Sequence, residues 1–300
     1  MEASNKRSVT SIKNIVEIFM NSVLILGSKG MLGGALGKLY PQAVLWDRED
    51  VDVTNFDALR EKIFALDLKP TAIINCVAFN DVDGAEQKKD AAFLLNTQVP
   101  GTLATISAEL NIPVVHFSTN YVFDGKVGEY DETAEPRPLS VYASSKYQGE
   151  VEVQNNTQLF YIIRTAVLFG PKGQSEVSKR SFVDLMLDLS SKSDTIKAVT
   201  DEINSITYVN DLAHEIKNIL DTTRPYGIYH VTNSGSASWY DLAKEIFAIT
   251  KKNINLISVV SSEFPRAAAR PAKSVLINTK FPALRPWQQA LAEFLKDYEV

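Results

Sequence analysis

The sequence predicts a doubly wound α/β fold: a parallel sheet (Rossmann) with helices on both faces and a smaller C-terminal substrate-binding lobe closing over it. Three observations point there. Short apolar, β-branched runs alternate with longer amphipathic segments through the first half of the 300-residue chain, the pattern of strands buried on both faces. A glycine-rich turn, Gly27-Ser28-Lys29-Gly30-Met31-Leu32-Gly33, joins the first apolar run to the first amphipathic one. Hydroxyl and amide side chains recur at the carboxyl ends of the later runs, where open α/β sheets bind ligands.

Taken in order, Val23-Leu24-Ile25-Leu26 reads as the first strand and residues 32–39 as the first helix. Residues 43–46 form a second strand, and Thr54 or Asn55 caps a helix reaching residue 65. Ala72-Ile73-Ile74-Asn75 is the third strand, followed by helices over 85–95 and 99–110. Pro100 is tolerable in the first turn of the latter, where an N–H has no intrahelical partner anyway. Residues 114–118 read as strand, 142–153 as helix and 161–165 as strand. The second half mixes short strands with helices over 182–190, 208–220, 239–250 and 286–298. The expected division is a disordered extension over 1–20, a dinucleotide-binding domain over 21–170, and a substrate lobe over 171–300 that partly returns to the first domain. Met20 leads directly into the first strand and is a candidate start.

Composition narrows the function. An apolar content of 45% with 22% charged residues is ordinary for a globular chain. The net charge of -5 supplies no electrostatic footprint for nucleic acid or an anionic membrane, and no run of about eighteen apolar residues is present to span a bilayer. The single cysteine, Cys76, excludes an internal disulfide and fits a reducing, cytoplasmic setting. The histidines His116, His214 and His230 lack metal-ligand spacing, so no metal is expected.

The chemistry is sought at Tyr142 and Lys146, which share a helix face at i and i+4. A cation beside a phenol favours the phenolate and makes the phenol a usable proton donor. Tyr240 and Lys244 repeat the spacing, and with eleven tyrosines about one such pair arises by chance. Position decides between the copies. The first follows the strand ending Ser118-Thr119-Asn120-Tyr121, so Thr119, Tyr142 and Lys146 can converge, whereas the second belongs to the later lobe.

The glycine turn suits a dinucleotide pyrophosphate, because glycines permit close approach and a helix N-terminus offers free amides. Asp47 ends the second strand, where a carboxylate can accept from ribose hydroxyls and favour NADH, while Arg48 can pair with the extra phosphate of NADPH. The cofactor choice therefore stays open. Asp52 and Val53 sit over the adenine or belong to a solvated loop. Arg180, Arg266 and Arg270 either bind a substrate diphosphate or form surface ion pairs.

These motifs together resemble the extended short-chain dehydrogenase/reductases, and within them the dTDP-4-dehydrorhamnose reductases. The resemblance rests on the glycine spacing, Asn75 to Glu86, Ser118-Thr119-Asn120-Tyr121-Val122-Phe123-Asp124-Gly125, Pro138 to Lys146, and Gly227-Ile228-Tyr229-His230-Val231. It implies an oxidoreductase of dTDP-rhamnose biosynthesis type that reduces a sugar-nucleotide 4-ketone with NADPH or NADH. In that reading Tyr142 donates a proton, Thr119 bonds the substrate oxygen, and Lys146 holds the nicotinamide ribose and depresses the tyrosine pKa. It further implies that Gly27, Lys29, Gly30, Met31, Leu32 and Gly33 line the pyrophosphate, and Ala78, Phe79 and Asn80 the nicotinamide half. Asn120, Val167 and Arg270 fall on the substrate side, and a homodimer is the expected assembly.

Three departures bear on the substrate. Asn120 stands where the family has aspartate, Val167 where it commonly has a tryptophan, and Asn204-Ser205-Ile206-Thr207 replaces a Gly-x-Pro-Thr turn. Asn120-Tyr121 also differs from the Asp-Glu of the related 4,6-dehydratases, and Cys76 lies in the wrong element for a dual epimerase-reductase. The alternative is a non-catalytic dinucleotide-binding role resembling the regulatory beta subunit of methionine adenosyltransferase.

Overall fold

The computed structural model describes residues 22–175 and 179–296. The expected extension over 1–20 and the end of the helix expected over 286–298 lie outside the described residues. Six parallel strands form the central sheet: β1 (Val23–Leu26), β2 (Val44–Trp46), β3 (Ala72–Asn75), β4 (Val114–Thr119), β5 (Phe160–Thr165) and β6 (Gly227–His230). Their spatial order is β6-β5-β4-β3-β1-β2. The connection from β2 to β3 passes over β1, so the winding reverses between β1 and β3 and opens a crevice at their carboxyl ends.

Alternation along β1 sends side chains to two cores. Val23 and Ile25 pack with Leu36 of α1 (Met31–Leu39) and with Leu212 and Ile216 of α6 (Val209–Asp221). Leu24 and Leu26 pack with Leu59 and Ile63 of α2 (Phe56–Phe64) and Leu103 of α4 (Val99–Leu110). Val153 of α5 (Val141–Asn156) joins this second core. Asn55 caps α2, its side chain accepting from the Ala58 N–H at 3.2 Å.

Between β3 and α4 the chain departs from the single helix expected over 85–95. It forms a 3-10 turn (Gly84–Glu86), a short helix α3 (Lys89–Phe93) and then a π turn (Leu94–Gln98) running into α4. Pro100 accounts for the π turn, because it has no N–H to offer the Asn96 carbonyl in an α register.

The lobes exchange strands across residue 170. β6 comes from the second half and completes the first sheet beside β5. Gly128–Tyr130, from the first half, pairs with Lys273–Leu276 in a four-stranded sheet of the smaller lobe. That lobe has its own core around Phe169, Val183, Met186, Leu242, Ile246 and Leu291. Among the described residues no helix is long and apolar enough to cross a membrane.

Helix α5 approaches the π turn so closely that a Cβ on Gly149 would lie 2.0 Å from the Asn96 carbonyl oxygen and 3.3 Å from His116 Nε2. Gly149→Ala is therefore expected to destabilise by about 2–3 kcal/mol in urea unfolding. Gly34→Ala, whose Cβ would meet nothing nearer than the Ser28 carbonyl at 3.7 Å, is expected to be neutral or to gain about 0.5 kcal/mol in the same measurement.

Candidate active site

Helix α5 is fixed at its start from two directions. Ser140 caps it by accepting from the Ala143 N–H at 3.2 Å, and Glu86 accepts from the Val141 N–H at 2.9 Å. Tyr142 and Lys146 consequently face the end of β4. The Thr119 side chain lies near enough to the Tyr142 hydroxyl to lower its pKa, and the Tyr142 ring meets Tyr121 edge-on at 6.4 Å between centroids. Lys146 is buried, and among the described residues its ammonium makes no hydrogen bond or ion pair, although it feels the charge of Glu150.

Burial dominates the titration of both groups. It pushes the Tyr142 phenol up to about 12, with the neighbouring Thr119 side chain pulling only partly back. It also brings Lys146 down to about 8, against the pull of Glu150. This corrects the expectation that Lys146 depresses the tyrosine: desolvation penalises the phenolate more than any neighbouring cation favours it.

A fully buried polar network lies beneath. Arg164 on β5 forms a fork with Glu150 on α5, Nε to Oε1 at 3.0 Å and Nη2 to Oε2 at 2.6 Å. Ser118 donates to the same carboxylate. The guanidinium also contacts His230 Nε2 at 3.5 Å and lies over Phe123 at 5.2 Å. On β4, His116 is buried, with its Nδ1 3.4 Å from the Asn75 amide. Desolvation and the Lys146 charge hold its pKa well below the usual imidazole value, so it is neutral. Its Nε2 has no partner among the described residues.

The glycine turn forms a cradle that fits a dinucleotide. Gly27 sits at φ +76°, and a Cβ on Gly33 would lie 2.1 Å from the Gly27 carbonyl, so only glycine lets the α1 N-terminus pack onto the turn. Gly30 begins α1 without a side-chain cap or a first-turn acid, which leaves the Met31 and Leu32 end of the helix open to phosphate. Asp47 reaches across the turn, accepting from the Lys29 N–H and the Arg48 N–H, both at 2.9 Å. The Lys29 ammonium pairs with Glu49 at 3.0 Å, and Arg48 is exposed. The Asp52 carboxylate is occupied by Thr54, and Val53 is half-buried in the second core. Ala78 and Phe79 are half-buried beyond β3, and Asn80 is exposed.

On the opposite rim, Asn120 is buried and both lobes hold it. Its amide donates to Asn204 Oδ1 at 2.8 Å and to Ser274 Oγ at 2.7 Å. Asn204, from the altered turn, is thus part of the bolt. Val167 adopts φ +40°, a conformation that a β-branched residue rarely takes. Arg270 binds Asp83 through both terminal nitrogens, at 3.1 and 2.7 Å, and holds that carboxyl down to about 2. Its charge also pulls the Tyr121 phenol down against the burial that raises it. Arg266 pairs with Glu202, which accepts from Trp239 as well. Arg180 instead pairs with Asp188 at 3.4 Å on the surface.

The chain matches, over residues 20–300, the family described as RmlD substrate binding domain. It belongs to that family. A dTDP-4-dehydrorhamnose reductase of Aggregatibacter actinomycetemcomitans is 36% identical over 91% of this chain and 97% of its own length. The spore coat polysaccharide biosynthesis protein SpsK of Bacillus subtilis is 32% identical, with 93% and 98% covered. Among solved structures, a Bacillus anthracis dTDP-4-dehydrorhamnose reductase in complex with NADP superposes with a TM-score of 0.86 at 33% identity, covering 92% of this chain and 99% of that one. A Thermus thermophilus UDP-glucose 4-epimerase, at 16% identity and a TM-score of 0.73, shares the fold.

Within this family frame, the residue that sequence reasoning missed is Asn96. Fully buried in the π turn, it accepts from the Phe79 N–H at 2.8 Å, donates back to the Phe79 carbonyl at 3.0 Å, and donates to Ser145 Oγ at 2.9 Å. One amide thus clamps the segment after β3 to the helix carrying Tyr142 and Lys146. The available signal was an asparagine four residues before a proline inside a helical pattern. The Glu150 partnership was signalled by a carboxylate one further helical turn beyond Lys146.

Asn96→Ala leaves both Phe79 backbone groups without that partner. It is expected to cost about 2 kcal/mol and to speed hydrogen exchange of the Phe79 amide. Because burial keeps Tyr142 neutral, wild type and Tyr142→Phe are expected to gain the same phenolate absorbance up to about pH 10. An extra ionisation in wild type below that pH would contradict the burial argument.

Proposed function

We propose that this protein is an NAD(P)H-dependent reductase that converts the 4-keto group of a nucleotide-diphospho-6-deoxysugar to an alcohol. One observation carries the reading. Tyr142 lies beside Thr119 at the end of β4, and Lys146 follows one turn later on the same helix, in a chain whose relatives are named dTDP-4-dehydrorhamnose reductases.

When bound, the reduced nicotinamide supplies the hydride to the ketone carbon. Tyr142 gives its proton to the ketone oxygen as negative charge develops there. The Thr119 hydroxyl, beside that phenol, stabilises the same oxygen. Lys146 donates to the nicotinamide ribose, and its charge lowers the cost of the phenolate left after proton transfer. The amides of Met31 and Leu32 receive the pyrophosphate, Asp47 the adenosine ribose, and Arg48 the further phosphate of NADPH. Phe79, held by Asn96, and its neighbours Ala78 and Asn80 border the nicotinamide half. On the substrate side, Asn120 keeps the two lobes in register, Val167 borders the sugar and Arg270 faces the diphosphate. A cytoplasmic setting suits the free thiol of Cys76.

The test supplies NADH or NADPH with a panel of 4-keto sugar nucleotides and follows the reduced nicotinamide absorbance. Turnover is expected with at least one of them. Tyr142→Phe should lower kcat by about 10²–10⁴-fold while leaving cofactor binding unchanged. Wild type that binds cofactor yet reduces none of the ketones would sink the reading and leave a non-catalytic dinucleotide-binding role.

A further inference from the structure

We propose that the open edge of the strand Asn255–Val259 is a self-association surface, pairing antiparallel with the same strand of a second copy of this chain. The strand belongs to the smaller lobe and runs parallel to Thr195–Val199, its one strand neighbour among the described residues. Such a ladder turns the backbone groups of alternate residues toward the neighbour. The Asn255 N–H donates to the Asp194 carbonyl at 2.7 Å, and the Val259 carbonyl accepts from the Thr200 N–H at 3.0 Å, so residues 255, 257 and 259 face inward. The N–H and carbonyl groups of Leu256 and Ser258 therefore project from the open edge.

That edge lacks the devices that keep exposed strands apart. From Asn253 to Ser262 the sequence carries no charge and no proline, and the ladder runs without a bulge. Leu256 packs into the core of the smaller lobe, whereas Ile257 is exposed, with Val260 and Phe264 exposed beyond it. The free groups also fix the register. The Ile254 N–H turns back onto the Lys252 carbonyl at 3.2 Å, and both backbone groups of Val260 are bonded to Glu263, which closes the edge at either end. Only a two-fold axis through Ile257 engages every open group: Leu256 then exchanges both its hydrogen bonds with Ser258 of the second copy, and the two Ile257 side chains meet in the close, non-hydrogen-bonded position.

Charge selects the same antiparallel sense. Lys251 and Lys252 precede the strand and outnumber Asp194 beside it, while Glu263 and Asp201 flank its far end, where Asp201 accepts from Ser261 at 2.8 and 2.9 Å. An antiparallel copy sets each basic end against an acidic one, whereas a parallel strand of the same sequence would set like against like. One partner occupies the whole edge, so the assembly closes at two.

Sedimentation velocity on the full-length protein at about 100 µM, above the micromolar Kd of a small interface, should show a dimer. In Ser258→Pro the lost N–H is one that points away from Thr195–Val199, so the lobe keeps its ladder, while the dimer Kd should rise by about 100-fold or more. Should that variant fail to fold, Ile257→Lys places a charge on the axis at an exposed position and should have the same effect. Ile257→Cys, opposite itself at about 4.5 Å between Cα atoms, should form a disulfide-linked dimer on air oxidation, and Asn255→Cys, opposite Val259, should not. Native Cys76, whose thiol desolvation pushes up, should leave wild type uncrosslinked. A wild-type monomer at that concentration overturns the proposal, whether the edge is left to solvent or taken by another protein. So does a dimer that persists in the folded Ser258→Pro and Ile257→Lys variants, an assembly larger than two, or equal crosslinking of the two cysteine variants.

Discussion

The ion pair between Glu150 and Arg164 is the interaction on which the rest of the site depends. It ties α5 to β5 at the level of β4 with no water-exposed edge. Two charges taken out of solvent are stable only if each oxygen and nitrogen finds a partner, and removing one of them would cost about 3–5 kcal/mol. Ser118, His230 and the face of Phe123 supply the remaining contacts. Through His230 the network continues to the Tyr130 and Ile277 carbonyls, both at 3.1 Å, and so reaches the smaller lobe. The catalytic helix is thereby locked to the sheet and to the second lobe through one chain of buried polar groups.

A second constraint comes from a backbone donor that does not exist. Pro100 cannot bond the Asn96 carbonyl, the helix opens into a π turn, and Asn96 turns inward to hold Phe79 and Ser145. Gly149 is needed opposite because any side chain would collide with that carbonyl. The distance between the end of β3 and the face of α5 is thus set by Asn96 and Pro100 in one turn and by Gly149 about fifty residues later.

The departures from the family pattern acquire different meanings once placed. Asn120 has both amide hydrogens engaged by Asn204 and Ser274, so the loss of an aspartate there is matched by partners in the smaller lobe that an amide can satisfy. The turn containing Asn204 differs from the family in the same bolt. Val167 has no such compensation: it keeps a left-handed backbone with a β-branched side chain. Arg270, paired with Asp83 across the lobes, joins the segment after β3 to the end of the chain.

Much of this protein was legible in the sequence, because its strongest signals are local. Apolar runs of strand length, a glycine turn at the first strand–helix junction, and a phenol and ammonium at i and i+4 are dictated by backbone geometry within a few residues. They give the doubly wound class, the cradle and the positions of Tyr142 and Lys146. What required the tertiary structure depends on contacts between distant segments. Asn96, in the π turn, faces inward because Phe79 and Ser145 lie there to receive it. The boundary near 170 is crossed because Gly128–Tyr130 and Gly227–His230 each pair with strands of the other half. The protonation of Tyr142 and Lys146 followed the same rule. Their spacing promised a lowered phenol, but desolvation decides it, and desolvation is a property of the enclosed volume and not of the neighbour along the helix.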